Sequence, residues 1–342
     1  MRHPRHRTAR PAAALALTAT VSLVLAACGG GGEEEPAASG SPEASGSAPA
    51  EPVTVQVGVI PVTDVAVLYL GQEQGFFEDQ GITLNFNTGQ GGAALVPSVV
   101  SGEYDFAFSN VISVMQAREQ GLPLTIIAPS AASTGEVDFG INMLMAIDPA
   151  IQDAGDLVGR TIGVNTLNNL SETLARVSVE AAGGDPNGVQ LAEMSFPDQV
   201  TALASGDIDA FVCAEPFCSM ATDAGARVIA NPYDDLAPGE QIAASAYFAT
   251  EEAIAADPEL YERIRAAIEA SQEYADENPD EIRAQLPNYT QIDPALIERM
   301  GLPEFKPTLE PDELQSLADA ALKYGIVDEA PVLDEVVWTP EG

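Results

Sequence analysis

Residues 53–87 read VTVQVGVIPVTDVAVLYLGQEQGFFEDQGITLNFN, a strand, a helix and a second strand in immediate succession. Val53–Ile60 is rich in β-branched residues, which fit a pleated, half-buried surface. Val65–Gln74 carries the helical spacing of apolar residues, with Thr63 or Asp64 as its cap and Gly75 as its stop. Ile82–Asn87 returns to the strand pattern. Outward from this unit the alternation continues. Gly91-Gly92 opens a helix over Ala93–Ser101 that Gly102 ends, and Asp105–Phe108 is a strand. Ser109 or Asn110 caps a helix over Val111–Gln120 that Gly121 ends, and Leu124–Pro129 is a fourth strand. Strands alternating with helices through short connections predict a mostly parallel sheet covered on both faces.

The pattern then restarts. Thr161–Asn165 is a strand. Asn169 and Glu172 have the spacing of a capping box for the helix Leu170–Ala182, which stops at Gly183-Gly184. Val189–Met194 (strand), Asp198–Ala204 (helix), Ala210–Ala214 and Arg227–Ala230 (strands) follow. Ile242–Thr250 is a strand with no helix pattern directly after Ala230, placed to carry the chain back to the first lobe. Beyond Glu251 the chain is helical over Pro258–Glu277, Pro279–Gln285, Pro294–Arg299 and Pro311–Tyr324, with acids at the helix starts. The fold class is therefore α/β with two lobes joined by two extended crossovers. Lobe I comprises residues 53–142 and 247–342, and lobe II residues 143–246.

Composition narrows the function. The 342 residues hold 14 basic and 52 acidic side chains, a formal net charge of −38, which disfavours nucleic-acid binding. Both histidines, His3 and His6, lie at the N-terminus. Without that end, histidine-based triads and histidine metal ligands are excluded by inventory, so no metal, no cofactor and no catalytic residue is expected.

Residues 1–27 read as a signal peptide: Arg2, Arg5, Arg7 and Arg10 precede an apolar run of about 15 residues, short of the roughly 20 that a spanning helix needs. The segment ends Leu25-Ala26-Ala27-Cys28, which resembles the lipobox of bacterial lipoproteins and makes Cys28 the lipid attachment site. Removal of residues 1–27 takes away four arginines and no acid, so the net charge falls to −42. The lipid on Cys28, not the protein surface, would hold such a body to a membrane. Residues 28–52 are Gly, Ser, Pro, Ala and Glu after the cysteine, except Val-free and aromatic-free throughout, and read as a disordered tether.

An ordered set of motifs carries a family resemblance: Leu70-Gly71 with Gly75-Phe76-Phe77-Glu78 and Gly81-Ile82; Ser101-Gly102 with Asp105-Phe106; Asp156-Leu157 with Gly159-Arg160-Thr161-Ile162-Gly163-Val164; Ala202-Leu203 with Gly206, Ile208-Asp209-Ala210 and Glu215-Pro216. The chain resembles solute-binding proteins of ABC importers in the nitrate/sulfonate/taurine and thiamine-pyrimidine-precursor (SsuA-like) family. That resemblance implies a type II periplasmic-binding-protein fold and a monomeric, extracytoplasmic, lipid-anchored receptor. Such a receptor closes on a small polar organic solute and delivers it to a membrane permease with its ATPase. It implies no enzyme activity. A ligand sensor of the same fold, and a thiamine-pyrimidine biosynthesis enzyme, are the alternatives, the second disfavoured by the missing histidines.

Ligands of parallel α/β sheets sit beyond the carboxyl ends of the strands. The corresponding turns nominate Thr63, Asp64, Gly91, Gly92, Ser109 and Asn110 in the first lobe. In the second they nominate Asn165, Asn168, Asn169, Phe196 and Glu215. Ser109, Asn110, Asn169 and Asp64 also serve as helix caps, and Phe196 either stacks on ligand or wedges the lobes. The family resemblance puts ligand contacts in the Glu215 turn, which makes Glu215 the candidate acceptor for a cationic or N–H-rich group. No arginine or lysine falls in these turns, which leans the ligand towards a neutral or amino-bearing solute. Cys213 and Cys218 form either a disulfide fixing this turn or two separate buried thiols.

Overall fold

The computed structural model describes residues 53–134 and 141–340, all within one compact unit, Ala48–Gly342. The signal peptide, Cys28 and the tether lie outside the described residues. Among the described residues, ten strands form two sheets of five. The first contains β1 (Val53–Val59), β2 (Ile82–Thr88), β3 (Phe106–Asn110), β4 (Leu124–Ala132) and β10 (Ala243–Thr250) in the order β2-β1-β3-β10-β4. The second contains β5 (Leu144–Ala146), β6 (Thr161–Val164), β7 (Gln190–Glu193), β8 (Ala210–Val212) and β9 (Arg227–Ala230) in the order β7-β6-β8-β5-β9.

The two sheets repeat one plan. Strands β2, β1 and β3 pair in parallel, as do β7, β6 and β8. In each sheet the fourth strand is antiparallel to both neighbours and arrives from the other lobe, β10 between β3 and β4 and β5 between β8 and β9. The chain thus crosses between lobes twice, over 133–143 and 231–242. The crossovers are tied together where Ser133 N donates to Ile242 O (2.9 Å) and Ile242 N donates to Ser133 Oγ (2.9 Å). β10 is buried along nearly its whole length, as expected for an inner strand covered on both faces, and the edge strand β4 is buried throughout because the C-terminal segment covers it.

The long C-terminal helix Pro258–Glu277 packs on Ala66–Gln74, and its boundaries are those the sequence predicts. The contact is close because residue 71 has no side chain: a Cβ there would lie 1.9 Å from Ser271 Oγ. Further on, Glu304 pairs with Ala132 and Val337 with Ile126, which covers the β4 edge of the first sheet. Between those two anchors, Gln315–Lys323 packs on Val111–Glu119 of the first lobe and on Leu170–Ala181 and Pro232–Leu236 of the second.

Several local expectations change. Thr63–Val65 is a 3-10 turn ahead of Ala66–Gln74, and neither Thr63 nor Asp64 caps the helix. Asn110 is the cap of Val111–Glu119 through Ser113 N (3.0 Å), and Ser109 is not. Asn169 caps Leu170–Ala181 by accepting from Leu170 N, but Glu172 accepts from Asn168 N (2.7 Å), one residue outside a capping box, and pairs with Arg176. A short helix, Pro232–Leu236, does follow Ala230, built on the Asn231 cap and a proline in its first turn. Five residues are too few to show a helical period.

Candidate functional site

The strand ends, the first crossover and the returning strand β10 converge on a cavity of about 50 Å³ between the sheets. The first lobe lines it with Ile60, Val62, Asp64, Gly92, Phe108 and Asn110, and the returning strand β10 adds Ala244 and Ser245. The second lobe contributes Asn165, Leu170, Ser171, Phe196 and Ala214, and Asn142 enters from the first crossover. Room of this size admits a handful of water-sized atoms, so the lobes stand nearly shut.

Closure rests on hydrogen bonds across the cleft. Thr63 N donates to Glu215 O (3.0 Å), and Asn165 Nδ2 to Gln90 O (3.4 Å). Asn169 Nδ2 donates to Ser113 Oγ (3.1 Å) and Gln116 Oε1 (2.9 Å), while Gln116 Nε2 donates to Asn168 O (2.6 Å). At the rim, Arg299 pairs with Asp223 (2.5 Å), and Lys323 and Tyr324 both reach Glu180 Oε2 (2.5 Å). These rim pairs are half exposed and add little stability individually.

Asp64 is the one ionisable side chain among the lining residues. It is 7% exposed and its Oδ1 accepts from Ser245 Oγ at 2.8 Å. Burial pushes its pKa above the usual carboxylate range, partly offset by the Ser245 bond. Asn110 Oδ1 accepts from Ser113 N and Ser113 Oγ as the helix cap, and the residue lines the cavity. Asn142 is held at both ends: Tyr233 OH donates to its Oδ1 (2.9 Å) and its Nδ2 donates to Cys213 O (3.1 Å). Phe108 and Phe196 supply apolar walls, Phe196 backed by Phe217 at 5.5 Å in a stacked pair. The cleft can therefore grip a small, partly apolar solute by one buried acid and a few amides and hydroxyls. Among the described residues, no group of three or more His, Cys, Asp or Glu could hold a metal ion.

Of the sequence-nominated residues, Asp64, Gly92, Asn110, Asn165 and Phe196 line the cavity. Glu215 does not. Its carboxylate turns inward to accept from Ser219 N (3.1 Å) and Ser219 Oγ (2.9 Å), stabilising the first turn of Phe217–Asp223, while burial raises its pKa. Thr63, Asn168 and Asn169 join the lobes instead of lining the space between them. Gly91 faces Asn165 across the cleft, where a Cβ would come 2.9 Å from Asn165 Oδ1. Ser109 lies buried behind Gly92, whose Cβ would meet Ser109 Oγ at 2.4 Å. Cys213 and Cys218 are disulfide-bonded, Cα atoms 5.2 Å apart, directly behind Ala214 of the wall. Sequence reasoning missed Asn142, on the first crossover, and Ala244 and Ser245, on the returning strand β10, none of which is at a strand-to-helix turn. It also missed Ser171, two residues past the Asn169 cap.

Two α/β lobes of matching topology, joined by two crossovers and closed over a lined cavity, define a two-lobed periplasmic-binding-protein fold. The chain belongs to the NMT1/THI5-like family, whose model matches residues 62–282. The alkanesulfonate-binding protein SsuA from Xanthomonas axonopodis pv. citri, solved with MOPS bound, has this fold: TM-score 0.68 at 17% identity, over 84% of this chain and 99% of that one. Among relatives, the nitrate import ATP-binding protein NrtC of Synechococcus elongatus is 28% identical over 52% of this chain and 28% of its own length. The formylaminopyrimidine-binding protein of Halalkalibacterium halodurans is 28% identical over 47% of each chain. The chain thus spans less than half the length of either relative.

Proposed function

We propose that this protein is the solute-binding component of an ABC importer, capturing one small polar organic solute between its lobes and passing it to a membrane permease. The observation that carries this reading is a cavity lined from both lobes and from the first crossover in a member of the NMT1/THI5-like family. Two sheets connected only by crossovers can hinge, and a solute that bonds to both lobes stabilises the shut arrangement over the open one. The names of the relatives, an alkanesulfonate-binding, a nitrate-import and a formylaminopyrimidine-binding protein, support a solute of that general size. The protein performs no chemistry on it. The Ala27-Cys28 junction supports an extracytoplasmic, lipid-anchored location, with Cys28 carrying the lipid and residues 29–52 serving as tether.

Thermal unfolding of the purified protein against nitrate, alkylsulfonates, taurine, pyrimidine precursors, flavins and aromatic acids tests the reading. A ligand at 100 times its Kd stabilises the folded state by about 2.7 kcal/mol. At least one member should raise the midpoint in a saturable way, and a flat response to the whole panel would count against a receptor for this solute class. Incorporation of labelled fatty acid, abolished by Cys28→Ser, checks the anchor.

A further inference from the structure

The two lobes hold the C-terminal helix Gln315–Lys323 very differently. Towards the first lobe it is anchored on either side. Before it, Glu304 pairs with Ala132 of β4. After it, Gln116 Nε2 donates to Ile326 O (3.0 Å), and Asp328 N and Glu329 N donate to Glu119 Oε1 (2.6 and 2.9 Å). Trp338 N then donates to Ile126 O (2.8 Å). Towards the second lobe, Lys323 Nζ and Tyr324 OH converge on one carboxylate oxygen, Glu180 Oε2 (2.5 Å each). Beside that meeting point a space of about 380 Å³ separates Ser316, Asp319 and Ala320 from Val177, Asp235 and Leu236 of the second lobe. Walls parted by such a gap do not pack on each other, so the hold on the second lobe is light.

The charges at the meeting point follow the contact and not the helices that carry them. Glu180 is the penultimate residue of Leu170–Ala181, where a negative side chain opposes the partial negative charge of the last carbonyls. Lys323 ends its own helix, where a positive charge is favoured. Two helix C-termini thus meet, and Lys323 is the cation that serves both. Resting on the receptor reading above, which needs the lobes to part and close, we propose that the C-terminal helix is a releasable latch. It rides on the first lobe, and Lys323 and Tyr324 engage Glu180 when the lobes shut and release it when they open. The latch sets the balance between open and shut without touching the solute. Apparent solute affinity scales with the shut fraction, so the latch tunes affinity from outside the cleft. A half-exposed pair shifts such a balance only a few-fold, which leaves the closure reversible.

Amide exchange of Thr63 reads the latch and needs no solute. Thr63 N donates to Glu215 O across the cleft and is released when the lobes part. Amides of β1 and β6, inside the separate lobes, report global unfolding instead. In the purified protein, Thr63 should exchange faster than they do. Glu180→Lys sets two ammonium groups against each other and should speed Thr63 exchange about three- to tenfold. Glu180→Lys/Lys323→Glu rebuilds the pair with reversed polarity and should return exchange most of the way to wild type. Exchange in β1 and β6 should stay unchanged in both. Thr63 exchange unmoved by Glu180→Lys, no rescue by the reversed pair, or an equal rise in β1 and β6 would each overturn the latch and leave the receptor reading intact. Thr63 exchanging no faster than β1 and β6 in wild type would mean that the lobes do not part, and would overturn both.

Discussion

The Ser245 hydroxyl donates to Asp64 Oδ1 at 2.8 Å, joining the strand that returns from the second lobe to the 3-10 turn after β1. The bond spans 181 positions of sequence and is buried. It fixes the carboxyl rotamer before any solute arrives. Ser245→Ala should cost about 1–2 kcal/mol, the range for a buried acceptor that loses its donor. Because this bond pulls the Asp64 pKa down against burial, its loss should also move that pKa further up. Denaturant unfolding and infrared titration of the carboxyl give the two readouts.

The raised pKa of Asp64 fixes a sign for the pH dependence of stability. An unfolded aspartate titrates near 3.9. Between that value and the raised native one, the folded protein keeps a proton that the unfolded chain has released, so stability falls as pH rises through this window. Below the unfolded value the favourable share is fully present. Glu215 and Asp235, also raised by burial, act in the same direction, and Glu180, lowered by Lys323, acts in the opposite one. The Asp64 share is therefore read as a difference: Asp64→Asn should lose less stability than wild type on going from acid to neutral pH. Parallel curves for the two proteins would contradict it.

Gly71→Ala should destabilise by at least about 1–3 kcal/mol, since the new methyl would lie 1.9 Å from Ser271 Oγ and 2.8 Å from Ser271 Cβ. Ser271→Gly in the same chain removes both contacts and should restore part of the loss. A double-mutant cycle in urea measures the coupling.

The Cys213–Cys218 disulfide closes a loop of five residues, worth about 2 kcal/mol by loop-closure entropy. The unfolded, unreduced protein should show no thiol that alkylates at these positions. Reduction should lower the unfolding midpoint and loosen the wall at Ala214 and the Cys213 carbonyl that holds Asn142. Hydrogen exchange at residues 214–219 reports the second effect.

Much of the architecture was legible because its signals are local. Gly75, Gly102, Gly121 and Gly206 each end a helix or its turn with a positive φ, as their positions after apolar-periodic runs imply. Pro258–Glu277 is long enough for its period to fix both ends. The three-residue β5 was invisible: Leu144–Ala146 is a strand because β8 and β9 flank it, not because of its own pattern. The site was half legible for a related reason. Strand-to-helix turns are readable, and they gave Asp64, Gly92, Asn110, Asn165 and Phe196. Side-chain direction within a turn is not. Of the two nominated carboxylates, Asp64 therefore lines the cavity while Glu215 supports a helix start. Asn142 and Ser245 needed the crossovers in place before they could be seen.

The central claim is that the lobes shut on one small solute held through Asp64. Equilibrium dialysis of the purified protein against a small-molecule extract, followed by mass spectrometry of the retained fraction, tests it most directly. The account predicts one small solute retained per protein by wild type and lost from Ser245→Ala/Asp64→Leu, with both proteins folded by circular dichroism. Retention of nothing by wild type, or of the same solute equally by the double variant, would contradict it.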